Sequence, residues 1–135
     1  LVISYELTAP KLLSRSGEDY LLAPVIQNAQ LVRLYGGPAE RRHSYVLRQH
    51  RVQHDRLRVE IGDGFRIERL PKDVAVAGKL ISYSMSYRRD GDVLILERRL
   101  EMTPGELATT EFRAHLDMLQ AADAAERERV VLRAK

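Results

Sequence analysis

Three of the four histidines, His43, His50 and His54, lie in one heavily charged stretch, 41–60. His50 and His54 stand four apart, the spacing that sets two imidazoles on one helix face, with Asp55 as a third candidate ligand. In a strand the same two residues lie about 13 Å apart, because each residue rises about 3.3 Å. A shared zinc ion needs every nitrogen at about 2.1 Å. Apolar residues at Tyr45, Leu47, Val52, Leu57, Val59 and Ile61 favour strand, with an interruption expected near 53–55, so no metal site is expected. His115 falls beside a helical apolar stripe and reads as a boundary residue rather than a base.

Nucleophile chemistry finds equally little. The chain contains no cysteine, which excludes a thiolate nucleophile, a Cys-ligated zinc and a disulfide within it. Ser82, Ser84 and Ser86 occupy alternate positions with no Gly-x-Ser-x-Gly elbow around them, as the solvent face of a strand would. Gly62-Asp63-Gly64 lacks the Lys-Ser/Thr of a phosphate loop and reads as a hairpin turn or a bend between two sheets. No catalytic residue and no cofactor site are expected.

The element that organises the chain is 79–102, two β-forming runs joined at Asp90-Gly91. A two-residue turn there pairs Tyr87 with Leu94, Met85 with Leu96, Tyr83 with Arg98 and Ile81 with Leu100. Alternation then sends Ile81, Tyr83, Met85, Tyr87, Leu94, Leu96 and Leu100 to a core. Ser82, Ser84, Ser86, Arg88, Glu97 and Arg99 face water, with Val93 and Ile95 as apolar exceptions. Upstream, 2–7 reads as a short strand closed by Thr8-Ala9-Pro10, 14–19 as turn, and Tyr20-Leu21-Leu22 as a second strand. Phe65, Ile67, Val74 and Val76 mark two more short strands. After Pro104-Gly105 the period changes: Thr109 is placed to cap a helix, and Phe112, Leu116, Leu119 and Ala122 form one stripe of it, to about Glu128. Val130-Val131-Leu132 reads as a last strand. Only 25–35 fits neither period. Its apolar residues, Ile26, Leu31 and Leu34 above all, are candidates for a docking surface.

At 135 residues and 44% hydrophobic the chain reads as one domain, 1–135, and it has no apolar run that would insert in a membrane. The opening Leu1-Val2-Ile3 reads as mid-sequence, so the segment is expected to be cut from a longer protein. The formal charge of +3 rests mainly on arginine. Arg41, Arg42, Arg48, Arg51, Arg56 and Arg58 would be the patch of a polyanion-binding module. Interspersed Asp and Glu make a solvated surface the plainer reading, and no arginine run is interleaved with aromatics, so nucleic acid is not expected as a partner. The fold expected is a mainly antiparallel β-sandwich, immunoglobulin-like in architecture, with one C-terminal helix.

One resemblance runs through Ile67-Glu68-Arg69-Leu70-Pro71, Ser82-Tyr83-Ser84, Gly91-Asp92-Val93-Leu94, Glu97-Arg98-Arg99-Leu100, Glu111-Phe112-Arg113, Ala121-Ala122-Asp123 and Val130-Val131-Leu132-Arg133. In order and spacing these resemble the C-terminal end of bacterial exported transglutaminase-like proteins, in which β domains flank a papain-like module with a Cys-His-Asp triad. The resemblance implies a periplasmic or cell-envelope parent and a non-catalytic accessory domain, with the catalytic module of the same chain as its partner. No triad residue of that family maps onto this segment, since a thiolate is required and none is present.

Overall fold

The longest pairing forms where the alternation is cleanest. The computed structural model describes residues 1–4, 6 and 12–135. In chain order it contains β1 (Leu13–Ser16), β2 (Asp19–Leu22), α1 (Leu31–Tyr35), β3 (Tyr45–Leu47), β4 (Arg51–Glu60), β5 (Phe65–Arg69) and β6 (Val74–Ala77). There follow β7 (Ile81–Asp90), β8 (Val93–Met102), β9 (Gly105–Leu107), a 3-10 turn (Thr109–Glu111), α2 (Phe112–Arg127) and β10 (Val130–Ala134). A long four-stranded sheet has the order β4-β8-β7-β6, a short four-stranded sheet the order β1-β2-β10-β5, and β3 pairs with β9 alone. Every pairing is antiparallel. The chain is mainly β with a C-terminal helix, as its periodicity requires.

The central hairpin differs from expectation by two residues. Asp90 pairs with Val93, Tyr87 with Leu96, Met85 with Arg98, Tyr83 with Leu100 and Ile81 with Met102. The turn residues are therefore Gly91 and Asp92, not Asp90 and Gly91. Gly91 carries the positive φ of 63° and Asp92 does not, the pattern of a type II′ turn with glycine first. A slip of two leaves every side chain on its face, whereas a slip of one would have inverted them all. Ile81, Tyr83, Met85, Leu94, Leu96, Leu100 and Met102 are accordingly buried. Ile95, on the outer face, is also buried, flanked across the sheet by Arg58 and Arg88, whose aliphatic stems are long enough to cover it.

Two different covers share the inner face of the long sheet. At the end distant from the turn, α2 lays Phe112, Leu116, Leu119 and Ala122 over Ile81, Tyr83, Leu100 and Met102. Near the turn the short sheet supplies Leu22, Val130 and Leu132 against Leu94 and Leu96. Burial of Phe112 and Leu119, both at 0% exposure, is worth about 2 kcal/mol each. The Glu111 carboxylate accepts the Ala108 N–H at 3.0 Å and Lys79 at 3.3 Å, and these hold it below the usual carboxylate range. Thr109 sits inside the 3-10 turn and makes no side-chain cap, so the capping role expected of it falls to Glu111.

Other expectations are narrowed. Leu13–Ser16 is strand, which confines the turn to Gly17 (φ 62°) and Glu18. Gly62, at φ 76°, is a bend that carries the chain from β4 in the long sheet to β5 in the short one. Residues 1–4 and 6 carry no strand; Tyr5 and Leu7 of the expected 2–7 strand, with Thr8-Ala9-Pro10, lie outside the described residues. β4 runs unbroken through 53–55, for a reason found in the site below.

A candidate docking groove above a buried ion-pair hub

The parity of β8 places Arg98 on the inner face, in line with Leu96 and Leu100 and opposite Met85 and Asp55. A guanidinium stays charged, so an arginine 8% exposed requires carboxylates and carbonyls around it. Nη1 donates to Glu126 Oε1 at 2.7 Å and to the Gln27 carbonyl at 2.9 Å. Nε and Nη2 both donate to Asp55 Oδ2, at 2.9 and 2.7 Å. Gln53 Nε2 donates to the same oxygen at 2.9 Å. This explains β4: Gln53 and Asp55 break the apolar alternation, not the strand, because they face Arg98.

Glu126, 2% exposed, also accepts the Tyr83 hydroxyl at 3.1 Å. Burial and the neighbouring Glu126 carboxylate push the Tyr83 phenol far above its usual value. For Arg98, burial opposes the charged form, and the hydrogen bonds to Glu126 and Asp55 more than offset it, so its pKa rises.

The hub also holds the unpatterned segment 25–35 in place. α1 is a five-residue turn entered through Gln30 in the left-handed region (φ 53°, ψ 49°). Its N-terminal amides are satisfied from another element: Asp123 of α2 accepts Leu31 N–H at 2.8 Å and Val32 N–H at 3.0 Å. Glu126 accepts Ala29 N–H at 2.8 Å, and His115 Nε2 lies 3.1 Å from the Tyr35 carbonyl. His115 is 3% exposed, so it is a core residue and not the boundary residue expected. Burial lowers its pKa, and its Nδ1 has no partner among the described residues.

Leu31 is corrected likewise. At 1% exposure it belongs to the core under α2 and cannot dock a partner. Ile26 and Leu34 remain exposed, at 55% and 54%. Between this segment and the start of β4 lies a cavity of about 220 Å³, with Arg33, Leu34, Tyr35, Arg51, Gln53 and Arg98 among its lining.

The remaining candidates are not brought together. His54 lies on the outer face of β4, 3.1 Å from Glu97, while His43 and His50 are exposed in loops. No cluster of three or more His, Cys, Asp or Glu that could hold a metal occurs among the described residues. The six arginines of the expected polyanion patch are dispersed. Arg41 stacks over the Phe112 and Tyr45 rings at 4.7 and 5.4 Å, and Arg42 and Arg48 lie in loops. Arg51 is on the opposite face of β4 from Arg56 and Arg58, which pair with Glu97 (3.7 Å) and Glu60 (2.8 Å). Parity therefore divides that patch, and the outer face of the long sheet mixes both signs. Ser82, Ser84 and Ser86 lie on that face as expected.

Sequence reasoning missed Arg98, Asp123 and Glu126. The legible signal was the pair Gln53 and Asp55 at inward positions of β4, with Arg98 at an inward position of β8.

The DUF3858 family, described as a domain of unknown function with a solved structure, matches residues 18–132. No curated protein matches the chain. A crystal structure of a candidate protease from Parabacteroides distasonis is similar in fold, with a TM-score of 0.58 and 11% identity over 73% of this chain. The match covers 19% of that protein, so this chain spans less than a fifth of its length. No helix among the described residues is long and apolar enough to cross a membrane.

Proposed function

The chain belongs to the DUF3858 family, and from that premise we propose that it is a non-catalytic accessory domain of a larger, transglutaminase-like protein of the periplasm or cell envelope. It docks on the catalytic module of that protein through Ile26 and Leu34. The observation that carries this reading is the unequal coverage of the structural match. A similar fold takes up 19% of a much longer chain described as a candidate protease. Any thiolate chemistry must come from outside this segment, which has no cysteine. The carboxylates and imidazole of α2 pin the 25–35 segment, so its exposed apolar side chains are held before contact, and less ordering entropy is lost on docking. A tether to the module keeps the local concentration of the partner high.

Calorimetric titration of the separated domain and module tests this. The wild-type domain is expected to bind, Ile26→Asp/Leu34→Asp to bind at least about tenfold more weakly, and Arg41→Gln/Arg42→Gln to bind as before. Deleting the domain is expected to lower the melting temperature of the parent. If the pieces do not associate and the truncated parent melts and works unchanged, the docking reading is wrong.

A further inference from the structure

We propose that the groove between α1 and β4 is a carboxylate-binding site, which takes one Asp or Glu side chain of an extended peptide. Arg33 and Arg51 both line it, and no Asp or Glu does. Of the strand arginines, Arg56, Arg58, Arg66, Arg98, Arg99 and Arg133 each have a carboxylate partner, whereas Arg15, Arg69, Arg88 and Arg89 have none among the described residues. Among the described residues Arg33 and Arg51 likewise have none. What they have instead is an amide oxygen apiece: Arg33 Nε donates to Gln30 Oε1 and Arg51 Nη2 to Gln53 Oε1. One hydrogen bond aims a guanidinium and leaves most of its five donors free. Gln53 is itself fixed by Asp55, so Arg51 is tied to the hub through a chain of hydrogen bonds.

Behind them Arg98 is fully paired, and with Asp55 and Glu126 the hub sums to one negative charge, which the two rim arginines must outweigh. The two rim arginines are thus the available cations. Planar guanidiniums recognise carboxylates by paired N–H donors, a geometry that a lysine ammonium lacks. Size narrows the ligand. A cavity of about 220 Å³ is below the roughly 300–1,000 Å³ of sites that enclose whole small molecules, and suits one side chain. Leu34, half exposed on its wall, is placed to meet the apolar neighbour of that acid.

This inference rests on the docking reading for the source of the peptide, but not for the binding itself. The test uses the whole domain, labelled with nitrogen-15, and the blocked peptide acetyl-Ala-Glu-Leu-Ala-amide. The comparators are its glutamine counterpart and inorganic phosphate. The acidic peptide is expected to shift the amides of 30–35 and the Nε–H signals of Arg33 and Arg51 along a saturating curve. The glutamine peptide and phosphate are expected to bind at least about tenfold more weakly, as is the acidic peptide to Arg33→Gln/Arg51→Gln. Both residues are exposed, so that variant keeps the fold, and unchanged signals from Leu94 and Val130 verify it. Arg41→Gln/Arg42→Gln should bind as wild type. Equal binding of the glutamine peptide, tighter binding of phosphate, no binding, or undiminished binding to Arg33→Gln/Arg51→Gln each overturns the proposal. A domain that binds the module but not the peptide refutes this inference alone; one that binds the peptide but not the module refutes only the docking reading.

Discussion

Replacing Arg98 by methionine tests the hub most directly. The substitution leaves the Glu126 carboxylate, 2% exposed, with only the Tyr83 hydroxyl and the Ala29 N–H as donors. Removing one partner of a buried ion pair costs about 3–5 kcal/mol, because the surviving charge stays desolvated. The Gln27 carbonyl loses its donor as well, adding about 1 kcal/mol. Asp55 loses little, since its side chain is 44% exposed and can turn to water. Arg98→Met is therefore expected to cost about 4–6 kcal/mol, a large share of the roughly 5–15 kcal/mol that holds a domain together. Adding Glu126→Gln removes the stranded charge and should recover about 2 kcal/mol, although each single change destabilises. Asp55→Asn should cost about 1 kcal/mol or less. Urea unfolding of the four variants near neutral pH, with the slopes checked for constancy, measures all of this. A cost below about 1.5 kcal/mol for Arg98→Met, or a further loss on adding Glu126→Gln, would show that the pair is not desolvated and that the reasoning fails.

Two other outcomes are expected. Met85 is 1% exposed on the inner face and Ser84 lies on the outer one. Met85→Asp should therefore cost several kcal/mol and Ser84→Asp about 0.5 or less; urea curves in the opposite order would mean the faces are reversed. Burial lowers the pKa of His115, so the fold favours the neutral imidazole. Its contribution is whole above the unfolded value of about 6.5 and is lost as pH falls through the lower folded value. The melting-temperature advantage of wild type over His115→Gln should narrow between pH of about 7.5 and about 5, and an unchanged gap would remove the titration from His115.

The parity of the strands, the inward and outward faces of β7 and β8, the stripe of α2 and the final strand are all legible in the order of residue types. Each is a local periodicity, and side-chain alternation acts within a few residues. Even the two-residue error in the hairpin left the faces intact, because a turn of Asp-Gly and one of Gly-Asp preserve the same parity. What the polar residues on those faces meet depends on segments far away in the chain. Arg98 stands at an inward position by parity, but nothing local satisfies its charge there until Asp55, Glu126 and the Gln27 carbonyl, 43, 28 and 71 residues away, arrive around it. The 25–35 segment showed no period because the amides of Ala29, Leu31 and Val32 are not satisfied within it: Asp123 and Glu126, more than ninety residues downstream, accept them. Leu31 went to the core and Leu34 to the surface for the same reason. Backbone hydrogen bonds must close somewhere, and here they close across the fold, where no local pattern records them.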